Sequence, residues 1–183
     1  DKDRVTLGSY VPNFTYGINL GFSYKNFDFS MVMQGVTGNE IVNRKRGDRR
    51  WHSELNYDAD QVENRWTGEG STNSYPSAAG SINPWNIAKF NSFYVEDGSY
   101  FRIQNVQVAY TFPKKDFGKF KMPSVRLSLT ADRPLTIFKA NSFSPELSSV
   151  KNDDGTMPSS SYGFDEQVYP LSSSYTLGLR IIY

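Results

Sequence analysis

Apolar and polar residues alternate without a break from Phe14 to Tyr24. Phe14, Tyr16, Ile18, Leu20, Phe22 and Tyr24 hold one parity; Thr15, Gly17, Asn19, Gly21 and Ser23 hold the other. A period of two puts these sets on opposite faces of a β-strand. Lys25-Asn26 has the length of a tight hairpin turn. A second run follows, with Phe27, Phe29, Met31 and Met33 opposite Asp28, Ser30, Val32 and Gln34. The rhythm returns with Val106, Val108, Tyr110 and Phe112, then with Val125, Leu127, Leu129 and Ala131, and last with Tyr175, Leu177, Leu179, Ile181 and Tyr183. The alternation predicts antiparallel strands over residues 14–24, 27–35, 99–112, 124–138 and 174–183. Between them, residues 36–98 and 140–173 are rich in Gly, Asn and Ser and keep no period. Loops of that length are commonly functional. Within the first, "DADQVENRW" has the look of a short helical turn.

The predicted strands are long enough to cross a bilayer when tilted, which takes about 9–11 residues, whereas strands of soluble proteins average about 5–6. Their apolar faces place aromatics at the ends and aliphatics between, the girdle arrangement of outer-membrane barrels. Phe14, Tyr16, Phe22, Tyr24, Tyr110, Phe112, Tyr175 and Tyr183 are therefore the expected lipid-facing girdle. Within the alternating stretches no charge falls on the apolar parity. That fits a face where Lys or Arg would cost ~2–4 kcal/mol at the midplane. Asp28, Gln34, Gln104, Gln107, Arg126 and Arg180 are expected to line the interior. Arg102 shares the parity of Val106, which places it at the rim or requires a bulge that resets the phase. Single-chain barrels have at least about eight strands. An open edge in hydrocarbon leaves backbone groups unpaired at several kcal/mol each. The expected fold is thus all-β, a part of a larger transmembrane barrel with two long outer loops. The competing reading of the same alternation is a soluble β-sandwich with one buried face.

Composition narrows the chemistry. The chain of 183 residues carries 20 basic and 19 acidic residues, a net charge of +1 that gives no support for nucleic acid as a partner. Cysteine is absent and His52 is the one histidine, so thiolate or multi-His metal sites and thiol or His-based catalysis are not expected. No cofactor is called for. No run approaches the ~18 apolar residues of a transmembrane helix. The opening "DKDRVTLGSY" is polar, so either a signal was removed or the chain starts inside a longer protein.

The final "TLGLRIIY" has the polar–Gly–apolar spacing and terminal aromatic, Tyr183, of the signal that barrel-insertion machinery reads. Barrels of that kind keep the C-terminus and the short turns in the periplasm, which assigns both long loops to the cell exterior. Four blocks carry a wider likeness: "PNFTYGINLGFSYKNFDFSMVMQGVTGNEI", "NRWTGEGSTNSYP", "VEDGSYFRIQNVQVAYTFP" and "YPLSSSYTLGLRIIY". In order and spacing the sequence resembles the C-terminal segment of the SusC/RagA family of TonB-linked outer-membrane transporters. The resemblance implies a plugged barrel of about 22 strands, of which residues 1–183 would supply the last five. It implies a SusD-like surface lipoprotein as lid, outer-membrane lipid around the wall, and TonB acting through a plug that is not in this chain. One departure is "SPE" at Ser144–Glu146, where the family often has Asp-Pro-Glu.

Trp51, Trp66, Tyr75 and Trp85 in the first long loop are the candidate ligand-binding residues, since aromatic faces suit the C–H faces of sugars. The plainer reading packs them inside the loop or against the lid. "RWTGEG" lacks the P-loop spacing and lysine and reads as a turn. The basic run Arg44, Lys45, Arg46, Arg49 and Arg50, beside Asp48, has the charge to bind an acidic ligand or lipopolysaccharide phosphates, and its plainer reading is a solvated loop face. "NDDGT" at Asn152–Thr156 lacks the distal glutamate of an EF-hand loop and reads as a polar turn. No catalytic residue and no metal ligand stand out. The expected function is not enzymatic: import of oligosaccharides, or of peptides by the same architecture. A soluble extracellular glycan-binding β-domain is the alternative of another class, and a barrel-embedded hydrolase a third.

Overall fold

A computed structural model describes residues 4–46, 56, 59–77, 91–118, 121–147, 162–165 and 168–182, the side chain of Lys121 excepted. In chain order the strands are β1 (Phe14–Tyr24), β2 (Phe27–Thr37), β3 (Glu40–Asn43), β4 (Val95–Asp97), β5 (Tyr100–Phe112), β6 (Lys115–Asp116), β7 (Lys121–Met122), β8 (Ser124–Phe138), β9 (Phe164–Asp165) and β10 (Ser174–Ile182). A helix, α1, spans Ala59–Asn64. The chain forms two compact units. The wall unit comprises Pro12–Gly38, Ser99–Lys139 and Pro170–Tyr183; the loop unit comprises Asp1–Val11, Asn39–Gly98 and Ala140–Tyr169.

The wall is a five-stranded sheet of order β1-β2-β5-β8-β10. Every neighbouring pair is antiparallel, because consecutive strands are joined as up-and-down neighbours. Register aligns the apolar parities into continuous rows. Phe22 faces Phe29, Phe29 faces Val108, Val108 faces Leu129 and Leu129 faces Leu177. The next row runs Tyr24, Phe27, Tyr110, Leu127 and Leu179. This face is not a protein core. Leu129 is 53% exposed and Leu177 71%, and of the buried apolar residues described Ala109 alone belongs to the wall. Exposed apolar residues on the outward parity of β1, β5, β8 and β10, with those of β2 half-buried between, are what a lipid-facing wall presents and what a sandwich half does not. The β1–β2 turn is closed at Lys25, whose φ of +54° fits a two-residue hairpin. The Thr111 amide donates to the Asn26 carbonyl at 2.8 Å, tying that turn to β5.

A bulge in β5 explains Arg102. Val32 of β2 faces Asn105, but the next residue, Met33, faces Ile103, so Gln104 is the extra residue. On the other side Ile103 faces Leu135 and Asn105 faces Asp132, with Arg133 at φ +48° taking up the slack on β8. One added residue inverts the parity. Phe101 and Ile103 therefore join the apolar face, opposite Ile137 and Leu135, while Arg102 lies between Gln34 and Thr136 on the polar face. Arg102 is 1% exposed, with its guanidinium 5.3 Å from the Tyr100 ring centroid.

The loop unit contains a three-stranded sheet of order β4-β3-β9. The alternation of β3 is only four residues long, "EIVN", with Ile41 and Asn43 buried. A one-turn 3-10 helix, Ser92–Tyr94, leads into β4; the Asn91 side chain caps it by accepting from the Phe93 amide at 3.0 Å. Residues 36–98 are thus not structureless, as the absence of period implies. Their elements are too short for a period to register.

Candidate functional site

On the polar face of the wall, Asp28 of β2 is engaged by the Arg126 guanidinium of β8 and accepts from the Ser23 hydroxyl at 2.7 Å. Arg126 also donates to the Thr111 hydroxyl at 3.2 Å. Arg126 stands directly opposite Arg180 of β10, so Asp28 offsets a like-charge pair. Further along, Gln107 donates to the Thr130 hydroxyl at 3.0 Å and Asn105 to the Asp132 carboxylate at 2.7 Å. Asp28, Gln34, Gln107, Arg126 and Arg180 share this face, as strand parity requires; Gln104 sits in the bulge.

In the loop unit, charges converge on Arg46, directly after β3. Its guanidinium engages Asp60 of α1, lies 3.6 Å from Glu96 of β4 and donates to the Phe93 carbonyl at 3.1 Å. It packs 4.8 Å from the Phe93 ring centroid and 5.6 Å from that of Tyr75. The Tyr75 hydroxyl donates to Asp60 at 3.1 Å. Fully buried Asn43 holds the backbone: it donates to Glu96 at 3.1 Å and to the Asn141 carbonyl at 2.9 Å, and accepts from the Arg46 amide. Beside it Lys45 pairs with fully buried Asp165 of β9 at 2.7 Å, its ammonium 4.9 Å from the Phe143 ring centroid. Lys45 and Arg46 therefore do not form a solvated face; desolvated cations need such partners. Arg44 stacks over Phe164, while Asp48, Arg49 and Arg50 lie outside the described residues. Asp60 and Glu96 are committed to Arg46, so the cluster cross-links the loop unit rather than presenting a free acid–base pair.

Of the ligand candidates, Trp51 and Trp85 lie outside the described residues, as does Asn152–Thr156. Trp66 bridges to Ser77 and is 45% exposed. The neighbouring "GEG" forms a turn, closed by the Ser71 amide donating to the Gly68 carbonyl at 3.1 Å. Tyr75 is half-buried, spent on Arg46, Asp60 and the Phe93 ring. The structure does not gather these aromatics into one patch among the described residues. Of the girdle set, Phe14, Phe22, Tyr24, Tyr110, Phe112 and Tyr175 are exposed. Tyr16 is half-buried against Gly35, where any Cβ would meet its ring at 2.4 Å; Tyr183 lies outside the described residues.

Instead the loop unit holds a cavity of about 300 Å³ beside β3, lined by residues of the first segment, β3, β4 and the Tyr162–Phe164 turn. The Glu40 amide donates to the Ser9 carbonyl at 2.7 Å and the Val42 amide to the Gly163 carbonyl at 2.8 Å, fixing its walls to β3. Tyr10 and Tyr162 stack across its margin, centroids 5.8 Å apart and planes within 16°. Sequence reasoning passed over both tyrosines, which are 152 positions apart. The signal available was the glycine beside each wall, Gly8 and Gly163.

No protein-family profile matches the chain. TonB-dependent receptor P26 of Formosa agariphila is 32% identical over 182 residues, which cover 99% of this chain and 18% of that protein. TonB-dependent receptor P3 of the same organism is 31% identical over 179 residues, covering 98% and 17%. Among solved structures the RagAB peptide importer in its "open-open" state matches with a TM-score of 0.70 at 22% identity, over 96% of this chain and 18% of that one. The "closed-closed" state gives 0.69. The chain spans less than a fifth of the length of the relatives it matches. With TonB-dependent receptors matched along almost its whole length and a wall folded like part of RagAB, the chain is similar to a β-barrel segment of a TonB-dependent transporter.

Proposed function

We propose that this chain forms the last five strands and two outer loops of an importer barrel of about 22 strands. Oligosaccharide is captured beneath a SusD-like lipoprotein lid. A plug upstream of this chain, pulled by TonB, opens a path along the polar face of the wall. The C-terminus and the Lys25-Asn26 turn lie in the periplasm, and the loop unit lies outside the cell. The wall itself supports this reading, with one bare apolar face and one hydrogen-bonded polar face on strands of bilayer length. Peptides are the second substrate class, favoured by the fold shared with RagAB, a peptide importer. Cells expressing the intact protein, with and without TonB, are offered fluorescent tetrasaccharides and tetrapeptides. TonB-dependent accumulation of a tetrasaccharide is expected. Accumulation of peptide alone selects the second class, and accumulation of neither rejects the importer.

A further inference from the structure

We propose that the cavity beside β3 is a sugar subsite, with Tyr10 and Tyr162 as its stacking platform and Glu40 as its hydroxyl acceptor. The inference rests on the oligosaccharide-importer reading, which brings glycans to the loop unit. Its volume of about 300 Å³ lies at the lower end of small-ligand sites, ~300–1,000 Å³, a size for one ring of a chain rather than for a whole oligomer. Val42, Val95 and Phe164 give it an apolar floor, and Glu40 is the one charged residue of its described lining. The Glu40 Oε2 atom is buried without a hydrogen-bond partner. A carboxylate accepts but does not donate, so it needs donors from whatever enters. A pyranose hydroxyl supplies one to the edge of Glu40 that lines the cavity. The same ring shows a flat face of C–H bonds, which pairs with the negative face of an aromatic ring. Tyr10 and Tyr162 are about half exposed while held nearly parallel, so the platform stands ready before the ligand arrives.

The backbone is shaped to allow it. A Cβ at Gly8 would fall 1.3 Å from Glu40 Oε2, so only glycine lets the first segment close over that carboxylate. Gly163 has φ +79°, and a Cβ there would meet Tyr10 Cβ at 2.5 Å. Glycine at this position lets the two tyrosines meet. A sugar is favoured over a peptide amine because the outer face of a stacked, half-exposed tyrosine pair rewards a flat C–H face; a lone ammonium needs only the carboxylate.

The test uses the intact transporter in detergent, titrated calorimetrically with malto-, cello-, laminari- and xylotetraose, and with the peptide Ala-Lys-Ala-Ala. The unaltered protein is expected to bind at least one tetraose. The double change Tyr10→Leu/Tyr162→Leu keeps apolar bulk but removes the platform and is expected to weaken binding about tenfold. The Tyr10→Phe/Tyr162→Phe pair is expected to stay within about threefold, since the face is kept. Glu40→Gln is expected to weaken binding at unchanged barrel assembly, read as heat-modifiable mobility. Should the leucine pair not assemble, Tyr162→Leu alone carries the test, because Tyr162 sits in a surface turn. Unchanged tetraose affinity in these variants overturns the subsite. Peptide binding lost in the same variants, with no tetraose bound, overturns the sugar assignment. Tetraose binding that the variants weaken, in cells that show no TonB-dependent uptake, leaves the subsite standing and rejects the importer.

Discussion

Arg46 is held by two carboxylates and two aromatic rings, and its side chain is 10% exposed. Replacing it with leucine leaves Asp60 and Glu96 without their counter-charge. Breaking a buried pair from one side costs about 3 kcal/mol at the lower end of the usual range, fitting since Asp60 is one-third exposed. The expected outcome is earlier tryptic cleavage of the loop unit and faster amide exchange at β4, with the wall's heat-modifiable mobility unchanged. A loop unit as protease-resistant as before would show that Arg46 is not its cross-link. On the wall, Asp28→Asn removes the charge that offsets Arg126 against Arg180. The melting midpoint of the assembled barrel should fall, and fall less in high salt, where the two arginines are screened. At this scale the sequence was least informative. A basic run reads the same whether its cations face water or are paired, because partners such as Asp165 and Glu96 arrive from distant segments.

The strands carry the legible part of the fold. Eleven alternating residues from Phe14 to Tyr24 leave no other regular conformation that separates the two sets, and β1 covers that span. The elements β3, β4 and β9 have four, three and two residues. That is too few for any period, and they exist only through pairing with each other. Facing can be tested by a matched pair. Leu129→Lys puts a charge in the middle of the apolar rows and should cost ~2–4 kcal/mol if that face meets the bilayer midplane. Its neighbour Thr130→Lys, on the opposite parity beside Gln107, should be nearly neutral. Urea titration in lipid vesicles measures both. Equal penalties would mean that both faces meet the same medium.

For the whole molecule, orientation is the open quantity, and the lack of cysteine in this chain makes it easy to read. A cysteine in place of exposed Glu69 in the loop unit should react with an impermeant maleimide on intact cells. One in place of exposed Lys115 in the β6–β7 hairpin should react only after the outer membrane is opened. The reverse pattern would invert the topology. That the chain is part of a larger barrel was legible once its alternation was read as lipid-facing, since five strands are fewer than the roughly eight a barrel needs. The substrate class was not, because residues 36–98 and 140–173 keep no period from which a site could be read. The sheet order leaves β1 and β10 each with one flank that no described strand occupies. Cut out and produced alone, this piece would offer two naked seams of amide and carbonyl dipoles beside a greasy wall. Copies would zip together flank to flank into ribbons, so its solubility as a fragment would say nothing about the stability of the finished cylinder.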